Sequence, residues 1–217
     1  MSERPLMNIF FDFDGTLIDS KLRQYELFCK LVPESHFSYE EYWDIKRNRI
    51  NQEKLLVKFF SYKPEQLHYI KKTWMDEIEH PDNMEKDTPF DGVEQLLSQL
   101  SKKCDLYLVT ARQSTDVVKH QIDKFGWSSF FKKLLVTNQI HTKVDLIRDS
   151  VNYNSTDIFI GDTGEDIKTG KLLGIKTIAV TYGILNSKVL SEYNPDHLVD
   201  SIDGLKDIIN TLLLDLI

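Results

Sequence analysis

Apolar and polar residues follow two different patterns along this chain, and the change from one pattern to the other divides the sequence into two kinds of segment. Residues 9–13 begin with an apolar run that is typical of a buried strand. From Thr16 to about Asp87, apolar residues recur three and four positions apart, as at Leu55, Leu56 and Phe59, and glycine is absent. This spacing predicts several helices and no strand in that stretch.

After Pro89 the pattern changes to short apolar runs that alternate with amphipathic segments. Such alternation predicts a parallel sheet covered by helices on both faces. The predicted strands are 106–109, 134–136, 158–160, 177–180 and 197–199. The predicted helices are 93–100, 115–125, 143–151, 165–173, 186–192 and one that begins near 203.

These two patterns together predict an α/β fold made of two domains. We expect a core domain of residues 1–16 and 88–217, and an inserted all-helical cap domain of residues 17–87. Because the insert begins directly after the first strand, it must overhang the carboxyl ends of the strands. That position suits a lid over a ligand site.

Composition narrows the classes of partner. The 217 residues carry a formal charge of −7 without a basic stripe, which argues against a nucleic-acid partner. No apolar stretch reaches membrane-spanning length, and Met1 to Met7 lack the apolar segment of a signal peptide, so we expect a cytoplasmic protein. The two cysteines, Cys29 and Cys104, lack metal-site spacing and are expected to be small core residues. Both a monomer and a homodimer fit.

The strongest candidate chemistry lies just after the first strand, where Asp12 and Asp14 are separated by one residue. Gly15 then permits a sharp turn, and Thr16 adds a hydroxyl group. Ligands of open α/β sheets bind where the strands end. The sequence therefore places two carboxylates where a metal ion and an anionic substrate can meet.

Three further strand ends carry residues that suit the same site. Thr110 and Ala111 follow a strand and offer a hydroxyl group and backbone N–H groups to phosphate oxygens. Lys143 opens a helix, and its ammonium group can neutralise a phosphoryl group. Asp162 and Asp166 follow the 158–160 strand and supply more carboxylates.

These residue types fit phosphoryl transfer with Mg²⁺ as the cofactor. Mg²⁺ prefers oxygen ligands and commonly uses one or two carboxylates, which Asp12 and Asp162 can provide. A carboxylate can attack phosphorus and form an aspartyl phosphate. Asp14 can protonate the leaving group and later deprotonate water, provided that its pKa is raised.

The chain resembles the haloacid dehalogenase-like (HAD) hydrolase superfamily, in the group with a helical cap after the first strand. Residues 12–16 resemble its first motif, Thr110 the second, Lys143 the third, and residues 161–166 the fourth. Residues 182–198 also resemble members of the phosphoglycolate phosphatase type. The resemblance implies a Rossmann-like core and a Mg²⁺-dependent phosphatase acting on a small phosphorylated metabolite.

The resemblance also implies a role for each motif residue. Asp12 would be the nucleophile and a metal ligand. Asp14 would be the acid/base group, with its backbone carbonyl on the metal. Asp162 would complete the metal site, and Asp166 would support it without binding the ion. Phosphate would be held by Thr110, together with the adjoining Ala111 turn, and by Lys143.

Substrate specificity is expected to depend on arginines near the cap. Arg112 stands where phosphoglycolate phosphatases commonly have Asn, so it is expected either to reach a second anionic group or to pair with a surface acid. Arg23, Arg47 and Arg49 are the cap cations that could recognise substrate. A solvated helix face is the alternative for the 46–49 run.

Other functions stay open at this point. A phosphomutase of the β-phosphoglucomutase type needs the same groups and differs in the lifetime of the aspartyl phosphate. A phospho-receiver signalling domain is a different class, and the long helical insert counts against it. Asp14 argues against a dehalogenase, because halide leaves without a proton.

Overall fold

The apolar runs of the sequence form strands, and the computed structural model describes them within residues 7–216. The strands are β1 (Asn8–Phe11), β2 (Ile18–Asp19), β3 (Thr88–Pro89), β4 (Asp105–Thr110), β5 (Phe131–Val136), β6 (Ile158–Gly161), β7 (Lys176–Val180) and β8 (His197–Val199). The helices are α1 (Lys21–Leu31), α2 (Tyr39–Arg47), α3 (Gln52–Phe60), α4 (Pro64–Glu77), α5 (Pro81–Met84), α6 (Val93–Leu100), α7 (Thr115–Lys124), α8 (Lys143–Ser150), α9 (Gly164–Leu173), α10 (Ser187–Ser191) and α11 (Ile202–Leu214).

Six of these strands form one parallel sheet in the order β5-β4-β1-β6-β7-β8. Successive side chains of β1 face opposite sides, so Phe10 joins one buried cluster while Ile9 and Phe11 join the other. Because both faces are covered, the α/β fold predicted from the sequence is confirmed. β1 lies between β4 and β6, so later strands are added on both sides of it. Open sheets bind ligands at this kind of topological switch point.

Helices α1–α5 lie between β2 and β3 and have an apolar cluster of their own. Phe28, Tyr42 and Leu55 are fully buried in it. Trp43 packs in the same cluster, and Trp74 lies partly buried at its edge. Tyr42 and Trp43 therefore belong to the core of this helical layer.

The prediction of no strand between Thr16 and Asp87 is wrong at one place. Ile18 and Asp19 form the short strand β2, which pairs antiparallel with Pro89 and Thr88 of β3. The chain leaves the sheet layer through β2 and returns to it through β3. These two segments lie side by side, so their backbone groups form hydrogen bonds with each other. Apolar spacing carries no signal of this pairing, because each strand has only two residues.

Residues 1–6, for which no signal peptide is expected, lie outside the described residues. Helix α11 packs on the sheet layer through Leu205 and Ile209. No helix in the described part of the chain is both long and apolar enough to cross a bilayer. Cys104 is buried, Cys29 is half-buried, and both are free thiols.

Candidate active site

The strand ends that carry the predicted residues meet around one cavity of about 310 Å³. Asp12 follows β1, Thr110 ends β4, and Lys143 begins α8. The predicted residues that line the cavity are Asp12, Asp14, Arg23, Thr110, Ala111, Arg112 and Lys143. Asp162 and Asp166 are fully buried close to Asp12, since one oxygen of each of the three carboxylates lies within 4.8 Å of the others.

Lys143 connects two of these carboxylates. Its Nζ donates to Asp12 Oδ1 at 2.6 Å and to Asp166 Oδ1 at 2.6 Å. The second oxygen of Asp166 accepts from the Thr163 backbone N–H at 3.0 Å and from its hydroxyl group at 2.6 Å. Both Asp166 oxygens are therefore engaged within the protein, which makes this residue an anchor for Lys143 and for the start of α9.

The buried charges at the site do not balance. Burial raises the pKa of Asp12 from 3.8 to about 7. The positive charge of Lys143 lowers this pKa but only partly offsets burial, and repulsion from Asp166 raises it further. Burial also raises the pKa of Asp162 well above its usual range, with repulsion from Asp12 and Asp166. Although burial disfavours the ammonium group of Lys143, the two carboxylates raise its pKa. Three carboxylates thus face one ammonium group, and a divalent cation would offset the remaining negative charge.

One atom gives a direct test of whether a metal fits. Asp162 Oδ2 accepts the Ile184 N–H at 2.6 Å, whereas Oδ1 is buried and has no hydrogen-bond partner within residues 7–216. A buried carboxylate oxygen without a hydrogen-bond partner destabilises the fold unless a cation binds to it. Oxygen ligands of this kind suit a hard cation, so the residues present fit a divalent metal.

Gly15 has a geometric reason for its place in the first motif. Its φ is +81°, and a Cβ atom at this position would lie 2.0 Å from Asp162 Oδ2. Side chains are therefore excluded both by the backbone conformation and by the neighbouring carboxylate. The turn after Asp14 can approach Asp162 only because residue 15 is glycine.

Asp14 differs from expectation, because it lies between two arginines. Arg23 Nη2 donates to Asp14 Oδ1 at 2.5 Å, and Arg112 donates to both oxygens at 2.5 and 2.7 Å. Burial alone would raise the pKa of Asp14, but Arg112 and Arg23 outweigh it and hold the pKa well below its usual range. The raised pKa that acid catalysis by Asp14 would need is therefore absent in this arrangement.

The same arginines share a second acid. Arg23 Nε lies 3.0 Å from Asp87 Oδ1, and Arg112 Nη2 lies 3.1 Å from Asp87 Oδ2. The Asp87 side chain is fully buried, and its Oδ2 also accepts from Gln121 at 2.9 Å. Of the two alternatives for Arg112, pairing with a surface acid does not describe the structure, because its partners are Asp14 and this buried aspartate, and contact with a second anionic group of a substrate stays a prediction.

Arg47 and Arg49 lie outside the residues that line the cavity. Arg47 donates to the backbone oxygens of Thr181 and Gly183, and Arg49 pairs with Glu192 at 2.9 Å. Arg47 thus holds the end of α2 against the loop after β7, whereas Arg49 joins the turn after α2 to the end of α10. Their recognition of substrate stays a prediction, since neither residue lines the cavity.

Several cavity residues were missed by the sequence interpretation. Gln113 follows Arg112, Gln139 follows β5, and Glu79 lies between α4 and α5. Gln113 and Gln139 belong to strand-to-helix connections, so their positions carried a usable signal. Glu79 carried none, because apolar spacing does not tell which connection between helices faces the sheet. Trp74 packs at the edge of the apolar cluster of the helical layer and also lines the cavity.

Fold and site together define an α/β enzyme with carboxylates at the end of its central strand and a helical layer above them. The chain belongs to the haloacid dehalogenase-like hydrolase family, whose model matches residues 9–180. The resemblance inferred from the motifs, and with it the expectation of a hydrolase, is confirmed.

Individual relatives agree along nearly the whole chain. The pyrophosphatase PpaX of Bacillus velezensis is 24% identical over 94% of this chain and 97% of its own length. The haloacid dehalogenase-like family hydrolase of Streptococcus pneumoniae has a similar structure, with TM-score 0.76, 21% identity and coverage of 94% and 98%. The HAD-hydrolase YfnB of Bacillus subtilis, bound to magnesium, is similar with TM-score 0.66, 18% identity and coverage of 95% and 100%.

Proposed function

We propose that this protein is a Mg²⁺-dependent phosphatase that hydrolyses small phosphate monoesters through an aspartyl phosphate on Asp12. The observation that carries the proposal is the buried cluster in which Asp12 contacts Lys143 at 2.6 Å beside the unpartnered oxygen of Asp162. A phosphoryl group that reaches Asp12 would meet an ammonium group and a metal site together.

The chemistry divides into two displacements at phosphorus. The Asp12 carboxylate attacks phosphorus and forms a new P–O bond while the bond to the leaving oxygen breaks. Water then attacks the same phosphorus atom, inorganic phosphate departs, and the carboxylate is regenerated. Lys143, Thr110 and the Ala111 turn hold the phosphate oxygens during both displacements.

Magnesium fits the ligands that the chain offers. Asp12 and Asp162, with the backbone carbonyl of Asp14, would hold it, and when bound it supplies the positive charge that lets a carboxylate approach a phosphate dianion. The magnesium recorded in the B. subtilis YfnB structure supports this choice of ion.

Asp14 is the candidate for moving protons. In the arrangement described above both of its oxygens accept from arginines, so it is an ionised carboxylate. In that form it has no proton to give to a leaving group, and because protonation would break the same ion pairs, taking a proton from the attacking water also requires them to loosen.

Residues 17–87 act in this proposal as a cap domain over the cavity, which favours small substrates. Inorganic pyrophosphate is a second candidate substrate, because PpaX of B. velezensis is a pyrophosphatase. A phosphomutase reaction would use the same aspartyl phosphate and would be recognised by the formation of sugar-phosphate isomers.

The deciding experiment measures p-nitrophenyl phosphate turnover by the purified protein with MgCl₂ and with EDTA. We expect turnover only with Mg²⁺, and none in Asp12→Asn. The matched control is Asp207→Asn, which changes an exposed carboxylate on α11 and should leave turnover unchanged. Substantial activity in Asp12→Asn would contradict the assignment.

A screen of phosphoglycolate, hexose phosphates and pyrophosphate, with a check for sugar-phosphate isomers, would then separate the substrate classes.

A further inference from the structure

Arg47 makes a contact between the helical layer and the sheet layer that the proposed function does not yet use. It is the last residue of α2, and its guanidinium group spans two backbone oxygens of the loop after β7. Its Nη2 donates to Thr181 O at 2.7 Å, and its Nη1 donates to Gly183 O at 3.1 Å. The backbone N–H of Asn186 donates in return to Arg47 O at 3.2 Å.

The segment that Arg47 binds, the 181–184 loop, also contacts the predicted metal ligand Asp162. Ile184, at the end of this loop, donates its N–H to Asp162 Oδ2 at 2.6 Å. Gly183 packs so closely that a Cβ atom there would lie 2.3 Å from Asp162 Oδ2 and 2.3 Å from Gly15 O. Because Oδ2 is fixed in this way, the loop also sets the direction of Oδ1, the unpartnered oxygen.

Two steps of hydrogen bonding therefore connect a cap helix to the candidate metal site. The Arg47 guanidinium group binds the 181–184 loop, and the loop binds the Asp162 carboxylate. The planar fork of arginine matches two carbonyl groups that are two residues apart, which a lysine ammonium group reproduces only in part. The loop has other anchors as well, since Thr181 N–H donates to Val199 O at 2.8 Å and Lys21 reaches Tyr182 O at 3.3 Å. Arg47 is distinguished from these by holding the carbonyl group immediately before Ile184.

We propose that Arg47 is a positioning residue that, through the 181–184 loop, orients Asp162 for metal binding and so couples the seating of the cap to the metal site. The proposal rests on the proposed Mg²⁺-dependent function, in which Asp162 is a metal ligand. Groups that orient metal ligands through hydrogen bonds commonly change metal affinity about 10-fold to 100-fold when removed.

The test compares Mg²⁺ dissociation constants of the full chain by isothermal titration calorimetry. We expect Arg47→Ala to bind Mg²⁺ about 10-fold or more weakly than wild type. Arg47→Lys should fall between the two. Arg49→Ala is the matched control, because Arg49 also joins cap to core but contacts Glu192 and the Tyr193 ring instead of the 181–184 loop. It should keep the wild-type dissociation constant.

A kinetic measurement separates positioning from general damage. In Arg47→Ala, the Mg²⁺ concentration for half-maximal turnover should rise, while kcat should recover toward wild type at saturating Mg²⁺. If Arg47→Ala does not fold, Arg47→Lys decides the question, with weaker Mg²⁺ binding expected at an unchanged melting temperature. An unaltered dissociation constant in the Arg47 variants, or an equal weakening in Arg49→Ala, would overturn the proposal. A wild-type protein that binds no Mg²⁺ would overturn the proposed function and this inference together.

Discussion

Arg112 binds both carboxylate oxygens of Asp14, with Nε donating to Oδ2 at 2.5 Å and Nη2 donating to Oδ1 at 2.7 Å. The pair lies at the cavity, where the arginine side chain is 4% exposed and the aspartate side chain is 21% exposed. Fork-shaped pairing of this kind is stronger and more directional than a single ion contact. The acid predicted to move protons is thus also part of a buried structural network with Arg23 and Asp87.

The first prediction concerns stability. Arg112→Ala leaves Asp14 and the buried Asp87 to share Arg23 alone, and breaking a buried ion pair costs about 3–5 kcal/mol. We expect a loss of that size in the free energy of unfolding, measured by urea titration. Lys119→Ala is the control, since its exposed pair with Asp123 should contribute less than about 1 kcal/mol. Equal losses in the two variants would contradict the importance of the buried network.

The second prediction concerns the leaving group. Because Arg112 and Arg23 hold the pKa of Asp14 well below its usual range, this carboxyl carries no proton at neutral pH. Substrates whose leaving group departs without a proton should then react faster. We expect kcat/KM, which reports the displacement that expels the leaving group, to be about 100-fold or more higher for p-nitrophenyl phosphate or pyrophosphate than for an alkyl phosphate, the usual worth of a missing proton donor. Equal values of kcat/KM across these leaving groups would show that Asp14 is released from the arginines when substrate binds.

The position of the acids could be predicted because it depends only on where strands end. Apolar runs place Asp12 after β1 and Asp162 after β6, and parallel strands bring their carboxyl ends to one edge of the sheet. Helix starts are similarly local, so the sequence also placed Lys143 at the start of α8. The α/β core required nothing beyond this alternation.

The placement of the arginines in the helical layer could not be predicted in the same way. Arg47 and Arg49 find their partners more than 130 residues away in sequence, across the junction between the helical layer and the sheet. Helical spacing indicates that a face is polar but carries no information about which surface it meets. The low pKa of Asp14 has the same origin, since it depends on Arg23 and Arg112 meeting in space.

The third prediction concerns pH and metal. Without a metal, burial raises the pKa of Asp12 from 3.8 to about 7 and also raises that of Asp162. The folded state then binds more protons than the unfolded state, so the metal-free protein should lose stability as pH rises from about 4 to about 7. Mg²⁺ competes with those protons, and its stabilising effect should grow over the same interval.

Melting temperatures with and without MgCl₂ at about pH 5 and about pH 8 check this prediction, because metal-linked stabilisation is seen only where the carboxylates are free to bind. We expect the larger rise in melting temperature at the higher pH. Asp12→Asn should show a much smaller pH dependence of that rise. A rise that is equal at both pH values in the wild-type protein would mean that Asp12 and Asp162 are already ionised before metal binds.

The fourth prediction separates two costs of replacing glycine at positive φ. Gly15→Ala and Gly126→Ala both force alanine into the left-handed region, at φ +81° and +74°, which costs about 1–3 kcal/mol. Only at Gly15 does the new Cβ also meet Asp162 Oδ2, at 2.0 Å, while no atom of residues 7–216 lies within 4 Å of a Cβ at Gly126. Gly15→Ala should therefore lose more stability than Gly126→Ala in urea titration, because its Cβ must displace a fully buried carboxylate. Gly15→Ala alone should need about 10-fold or more Mg²⁺ for half-maximal turnover, since it displaces a ligand that the metal requires. Wild-type Mg²⁺ activation in Gly15→Ala would mean that Asp162 can move aside without loss, and hence that its position beside Asp12 is not what binds the ion.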